Sequence, residues 1–245
     1  SPKWLQDKLL SIGLRPISAL VDMTNYLTID MNRPVHVFDA DKIVGDHLSV
    51  RSGCEGANFK ALNGKEYVLD DTMTAICDET GVVSLAGVMG GENTGCTNNT
   101  ENVFIEIALF DTTQTARTGR ELNLESDARY RFERGVDPAF AVPGMEIATQ
   151  LVLDMCGGNP SEMVIAGTQP AEYHEITFQH DQIKSLGGVH IEKHLCVDIL
   201  NKLGFKVSAL KSGSLSVTPP SWRVDIVGEA DLVEEILRNI ALTVA

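Results

Sequence analysis

Apolar positions in the first thirty residues repeat at helical spacing. Leu5, Leu9, Leu10 and Ile12 recur behind Ser1-Pro2, an N-cap followed by proline at the first helical position, and Gly13 closes the pattern. Residues 18–31 predict a second helix, ended by Asn32-Arg33-Pro34. From His47 to Val83 the pattern shortens into strands and turns, with Asn63-Gly64 as a hairpin turn. Residues 102–110, "NVFIEIALF", read as a strand, "TTQTARTGRELNL" after it as a helix, and 139–156 as a long helix stopped by Gly157-Gly158. A stretch rich in Gly, Pro and polar residues follows, with a linker expected near 166–173. Beyond it come a helix at 191–203 stopped by Gly204, a hairpin turning at Ser212-Gly213, and a helix at 229–241. The fold class is α+β: a mixed α/β module over 1–168, then a smaller helix–hairpin–helix domain over 173–245.

Composition narrows the class. The 245 residues are 43% hydrophobic and 22% charged, ordinary for a globular protein. No stretch approaches the ~20 consecutive apolar residues of a membrane helix, and Ser1-Pro2-Lys3-Trp4 opens into an amphipathic pattern without a signal peptide. The absent initiator methionine suggests a piece of a longer chain. Cys54, Cys77, Cys96, Cys156 and Cys196 are odd in number and contain no CxxC, which favours a reducing cytoplasm over disulfides or zinc. A net charge of −14 leaves few cations to neutralise phosphates, so nucleic acid should be gripped mostly elsewhere. GxGxxG, GK[ST], GxSxG and HExxH are all missing.

Four features could carry chemistry, each beside a plainer reading. Thr24, Asn25 and His36 sit among apolar residues and could line a pocket in which the imidazole orients or activates water. Helix back-bonding, capping and a satisfied core histidine explain them as well. In "LAGVMGGENTG", Gly87, Gly90 and Gly91 could expose backbone N–H groups to a ligand, or could make a tight strand-to-strand turn. Strand alternation puts Glu106 on one face with Phe104, Ala108 and Phe110, and Val103, Ile105, Ile107 and Leu109 on the other. That face is either a buried wall with a carboxylate in it or the solvated side of an edge strand. Asp231, Glu234 and Glu235 share a helix face with Asp225 upstream, a set that suits Mg²⁺ or, equally, an acidic first turn favoured by the helix dipole.

Four motifs in order, "VDMTNYLTIDMNRPVHVFD", "LAGVMGG", "RFERGVDP" and "PSWRVDIVGEADLVEEI", resemble the β subunit of bacterial phenylalanyl-tRNA synthetase, from residue 1 to about 240. The resemblance covers the middle of that subunit: the editing module and the small winged-helix-like domain after it. It implies hydrolysis of tyrosine wrongly attached to tRNA(Phe). The implied catalytic positions are His36, Asn25 and Thr24; Glu106, Gly87, Gly90, Ser126 and Ala128 would bind substrate. It implies Mg²⁺ on Asp225, Asp231, Glu234 and Glu235, shared with the α subunit. The implied partners are that subunit, in an α2β2 heterotetramer, and tRNA(Phe), in the cytoplasm, with no DNA and no membrane. Two departures stand out: Arg129 replaces a usually small residue, and the sequence diverges after Arg238. A non-catalytic binding or assembly module is the other class. A free-standing carbohydrate or peptide binder of the same fold fits less well, since it has no need of the 220–238 motif.

Overall fold

The computed structural model describes residues 1–168 and 174–244. Its contacts divide the chain into two compact units, Ser1–Ile165 and Ala166–Ala245. Residues 169–173, most of the expected linker, lie outside the described residues.

The first unit opens with α1 (Lys3–Ser11) and α2 (Ala19–Asp30). Pro2 is the N-cap of α1 and not its first helical residue, because its ψ of 155° is extended. Ser18 caps α2 by accepting from the Val21 N–H at 3.3 Å, and Asn32, left-handed at φ 50°, closes it. The strands are β1 (His36–Asp39), β2 (Ser49–Ser52), β3 (Asn58–Lys60), β4 (Glu66–Val68), β5 (Thr74–Cys77), β6 (Val82–Leu85), β7 (Met89–Gly90) and β8 (Val103–Glu106). Strands β2, β5, β6 and β7 form a four-stranded sheet, β3 and β4 a hairpin around Asn63-Gly64, and β1 pairs with β8. Then come α3 (Thr112–Glu121), α4 (Asp127–Phe132) and α5 (Ala141–Cys156).

The β1–β8 ladder lies between two apolar layers. Val37 and Ile105, opposite each other, pack with Val35 and Val103 against Met23 and Leu27 of α2 and Ala148 of α5. Burying Met23 and Leu27 stabilises this layer by roughly 1.5–3 kcal/mol each. The other face sends Phe38 into a cluster with Ile43, Ile76, Val83 and Ala86 of the sheet side. Strand β8 stops at Glu106, four residues short of the expected end, where its partner β1 begins at His36; beyond it the Ala108 carbonyl accepts from the Arg33 guanidinium at 3.3 Å. Helix α5 with its preceding turn (Pro138–Cys156) is long and apolar enough to cross a membrane by composition, and it lays Ala148 and Ile147 onto the α2 layer.

The second unit contains β9 (Ile176–Phe178), α6 (Gln182–Gly187), α7 (Lys193–Lys202), β10 (Lys206–Ala209), β11 (Leu215–Thr218) and α8 (Glu229–Val244). The three strands form one antiparallel sheet in the order β10-β11-β9. Phe178, Leu200, Val217, Leu232 and Ile236 fill its core. Gly204 (φ 88°) and Gly213 (φ 90°) take left-handed positions at the helix stop and hairpin turn that the sequence indicates. Helices with sheets in both units make the fold α+β.

Candidate functional site

The register of β1 on β8 sets His36 directly opposite Glu106 and Phe38 opposite Phe104. Alternation along both strands turns these four side chains to the face away from α2. The imidazole meets Phe38 edge-on, ring centres 4.3 Å apart. Its Nε2 is sealed from water and has no hydrogen-bond partner. Burial holds the ring's pKa down at about 4, so the imidazole is neutral at physiological pH. Glu106 keeps some exposed surface, as a group lining an open pocket does, yet burial pushes its carboxyl up to about 7. No hydrogen bond or ion pair reaches that carboxyl among the described residues. Phe104 is 43% exposed, so the wall is open on one side, as an edge strand allows.

The glycine loop closes over this face, and one of its three N–H groups is already taken. The N–H of Gly91 is committed to the Val83 carbonyl at 2.8 Å, inside the β6–β7 hairpin. Gly90 is needed for room, since a Cβ there would sit 2.2 Å from His36 Cε1. Gly87, at φ 71°, faces Phe110, Phe132 and Thr115, where a Cβ would fall 2.9 Å from the first ring. Ser126 ties this loop to α4: its Oγ donates to the Val88 carbonyl at 2.6 Å and accepts from the Arg129 N–H at 3.0 Å. Ala128 lies on the first turn of α4, partly buried. Arg129 is held down by the Leu124 carbonyl at 2.7 Å and by Glu133 at 3.1 Å.

The structure does not gather every candidate. Thr24 donates its hydroxyl to the Val21 carbonyl at 2.9 Å, the back-bond of an ordinary helical threonine. Asn25, partly buried on α2, makes no side-chain hydrogen bond among the described residues. Arg33, which the sequence marks only as part of a helix stop, is 0% exposed. It donates to the Ala108 and Asp137 carbonyls, so one guanidinium joins the approach to His36, the exit from Glu106 and the turn after α4. Burial lowers its pKa against the pull of Asp137. No periodicity marks a buried arginine whose acceptors are backbone atoms 75 and 104 residues away.

In the second unit the acidic residues of α8 are already engaged. Arg223 donates to both Asp225 oxygens at 2.8 and 2.6 Å and to Glu235 Oε1 at 2.9 Å. Arg238 donates to Glu235 at 2.9 Å and to Glu234. Asp231 Oδ2 accepts from the Val227 and Gly228 N–H groups, both at 2.9 Å, at the start of the helix. Among the described residues no three His, Cys, Asp or Glu side chains converge as metal ligands. This arrangement does not fit a resident magnesium ion. Of two open clefts, one of about 400 Å³ beside Trp4 and Leu151 contains Asp154, which accepts from Gln150, and one of about 540 Å³ beside Leu186 and Leu237 contains Glu234 and Arg238, which pair with each other.

Comparison with known proteins places this geometry. A family model of the B3/4 domain matches residues 1–157, and one of the tRNA synthetase B5 domain matches 176–240. The phenylalanine–tRNA ligase β subunit of Bartonella henselae is 56% identical over 99% of this chain and 30% of its own length. That of Mesorhizobium japonicum is 54% identical over 97% of the chain and 29% of its own. A solved N-terminal fragment of the Pyrococcus horikoshii phenylalanyl-tRNA synthetase β-subunit aligns with 91% of the chain and 65% of its own, at 17% identity and a TM-score of 0.44. The chain belongs to the B3/4-domain family, as a B3/4–B5 fragment of the phenylalanine–tRNA ligase β-subunit type. It spans less than a third of the length of these curated relatives.

Proposed function

We propose that the first unit hydrolyses tyrosyl-tRNA(Phe), the mischarged product of the synthetase to which it belongs. The observation that carries this reading is the His36–Glu106 pair: two ionisable side chains opposite each other on a ladder, both only partly exposed and without hydrogen-bond partners among the described residues, the imidazole Nε2 sealed from water. An unpaired buried polar group costs about 1–3 kcal/mol, and a ligand that pairs it recovers that cost. Tyrosine and phenylalanine differ by one hydroxyl. A site with a buried acceptor rejects the analogue lacking that hydroxyl far more strongly than an apolar pocket rejects one carrying it. Glu106 is that acceptor, and the phenylalanyl ester would leave it unpaired. Neutral His36 can accept a hydrogen bond from water at Nδ1, the ring nitrogen that is not sealed, and orient or activate it toward the ester, with Asn25 as a second polar contact. Thr24 shapes α2 through its back-bond, Gly87 and Gly90 give the substrate and the imidazole room, and Ser126 and Ala128 stand at the rim.

The second unit, with its three-stranded sheet and helices α6–α8, serves as a winged-helix-like assembly domain toward the α subunit of a cytoplasmic α2β2 enzyme. ATP and magnesium belong to that whole ligase. The test is His36→Ala in the full heterotetramer. Deacylation of tyrosyl-tRNA(Phe) should fall while phenylalanine activation stays unchanged. Equal loss of both would show that His36 supports only the fold. Unchanged deacylation would leave the unit a binding or assembly module.

A further inference from the structure

The sequence pattern points to a metal on α8, and the side chains there do something else. Arg223 is planted by its surroundings. Its N–H bonds the Pro220 carbonyl at 3.0 Å, its carbonyl accepts from Ile226 at 3.3 Å, and the adjacent Trp222 packs against Gly204. From that turn the guanidinium engages both oxygens of Asp225 and reaches twelve residues on to Glu235, which is 5% exposed. The planar fork matches carboxylate geometry in a way a point charge does not. Glu234 and Glu235 take a second cation, Arg238. The remaining carboxylate, Asp231, is turned to the helix N-terminus.

We infer that Arg223 is the resident cation of this acidic cluster, and that a divalent cation can occupy the cluster only when the guanidinium leaves it. Two facts support the exclusion. Mg²⁺ needs near-octahedral oxygens and gives up its own water reluctantly, whereas the Asp225 oxygens and Glu235 Oε1 are filled by fixed N–H donors. An ion entering beside Arg223 and Arg238 would also meet like charge. In this chain the arginine thus sets the metal occupancy of α8.

The experiment uses MgCl2 alone as the probe. It is titrated by calorimetry into the 245-residue chain, its Arg223→Gln variant and the double variant Arg223→Gln/Asp225→Asn. Thermal unfolding is followed with and without about 10 mM MgCl2 as a second reading of the same binding. Wild type should give no saturable heat and no shift in midpoint. Arg223→Gln should gain one saturable site, at least about tenfold tighter than anything in wild type, and a midpoint that rises with MgCl2. The double variant should lose both. Saturable binding by wild type that Glu235→Gln abolishes would overturn the inference. So would an Arg223→Gln chain that gains nothing, the result expected if only a partner's ligand were missing. Should Arg223→Gln fail to fold, Arg223→Met keeps much of the apolar stem and removes the charge. Its midpoint should then rise with MgCl2, and a flat response would count against the inference.

Discussion

His36 and Glu106 in the first unit, and Asp225 and Glu235 in the second, are ionisable side chains held by their surroundings. They differ in what meets them. On the β1–β8 ladder the imidazole Nε2 and the carboxyl have no hydrogen-bond partner among the described residues, and burial alone moves both pKa values toward the neutral form. On α8 every acidic group meets a cation or a backbone N–H, and Asp225 is held below the usual carboxylate range mainly by its bond to Arg223. Both sets look alike in sequence, as polar residues at suggestive spacing. Partnership separates them. The unpaired set is free to receive a ligand, as the proposed function requires, and the paired set ties the turn before α8 to the helix.

The comparison is broken most severely at Gly90. Gly90→Ala puts a methyl group where His36 Cε1 already stands. Displacing a catalytic group by about 1 Å costs on the order of a hundredfold in rate. Tyrosyl-tRNA deacylation by the heterotetramer should fall by about that factor, while phenylalanine activation holds. A full rate would mean that the position of His36 does not matter to the chemistry.

A smaller effect should follow at Glu106. Glu106→Leu removes the acceptor, and a charge-assisted hydrogen bond is worth about 1.5–3 kcal/mol. The preference for tyrosyl over phenylalanyl ester should drop on the order of tenfold or more. Retained selectivity would place the recognition of the phenol elsewhere. The pH dependence of stability sharpens the same point. Glu106 is raised from 4.5 to about 7, so its contribution is full at low pH and is lost as pH rises through about 7. His36 is lowered from 6.5 to about 4, so its contribution is full above 6.5 and is lost as pH falls toward 4. Glu106→Gln should therefore unfold at a temperature close to wild type at about pH 5 and a few degrees higher at about pH 8. A difference that stayed constant with pH would mean that Glu106 does not titrate in this range.

The smallest effect should come from Ser126→Ala. It removes the cap of α4 and the bond to Val88, at about 1–2 kcal/mol in denaturant unfolding. Deacylation should change less than with Gly90→Ala. A larger loss would make Ser126 a substrate contact in its own right.

The elements with strong periodicity or stop signals were legible from sequence: α2 behind Ser18, α5 before Gly157, α7 before Gly204, and the β10–β11 hairpin around Gly213. The face assignment along β8 also follows from alternation, with Val103 and Ile105 inward to the helices and Phe104 and Glu106 on the other side. What could not be read was pairing. No local pattern says that β1 joins β8, so the meeting of His36 with Glu106 was out of reach, as were Arg33 and the short elements β1, β9, α4 and α6. The acidic face of α8 shows the converse. The spacing of Asp231, Glu234 and Glu235 was correct, but the cation that answers part of it comes from Arg223, in a turn outside the helix.

The buried Arg33 has a consequence in time as well as in space. Its two carbonyl acceptors lie 75 and 104 residues further along the chain, and among the described residues β1 pairs as a strand with β8. During synthesis, then, the segment carrying His36 can pack on α2 at once, but its bridge to Gly95 and its ladder with β8 wait for residues made much later. Closing loops of this size must be achieved before the contacts reward it. Helices α1 and α2 can form early from local contacts, while the ladder and its guanidinium clamp wait for Asp137 to leave the ribosome. The site assembles last, when the unit around it is nearly complete.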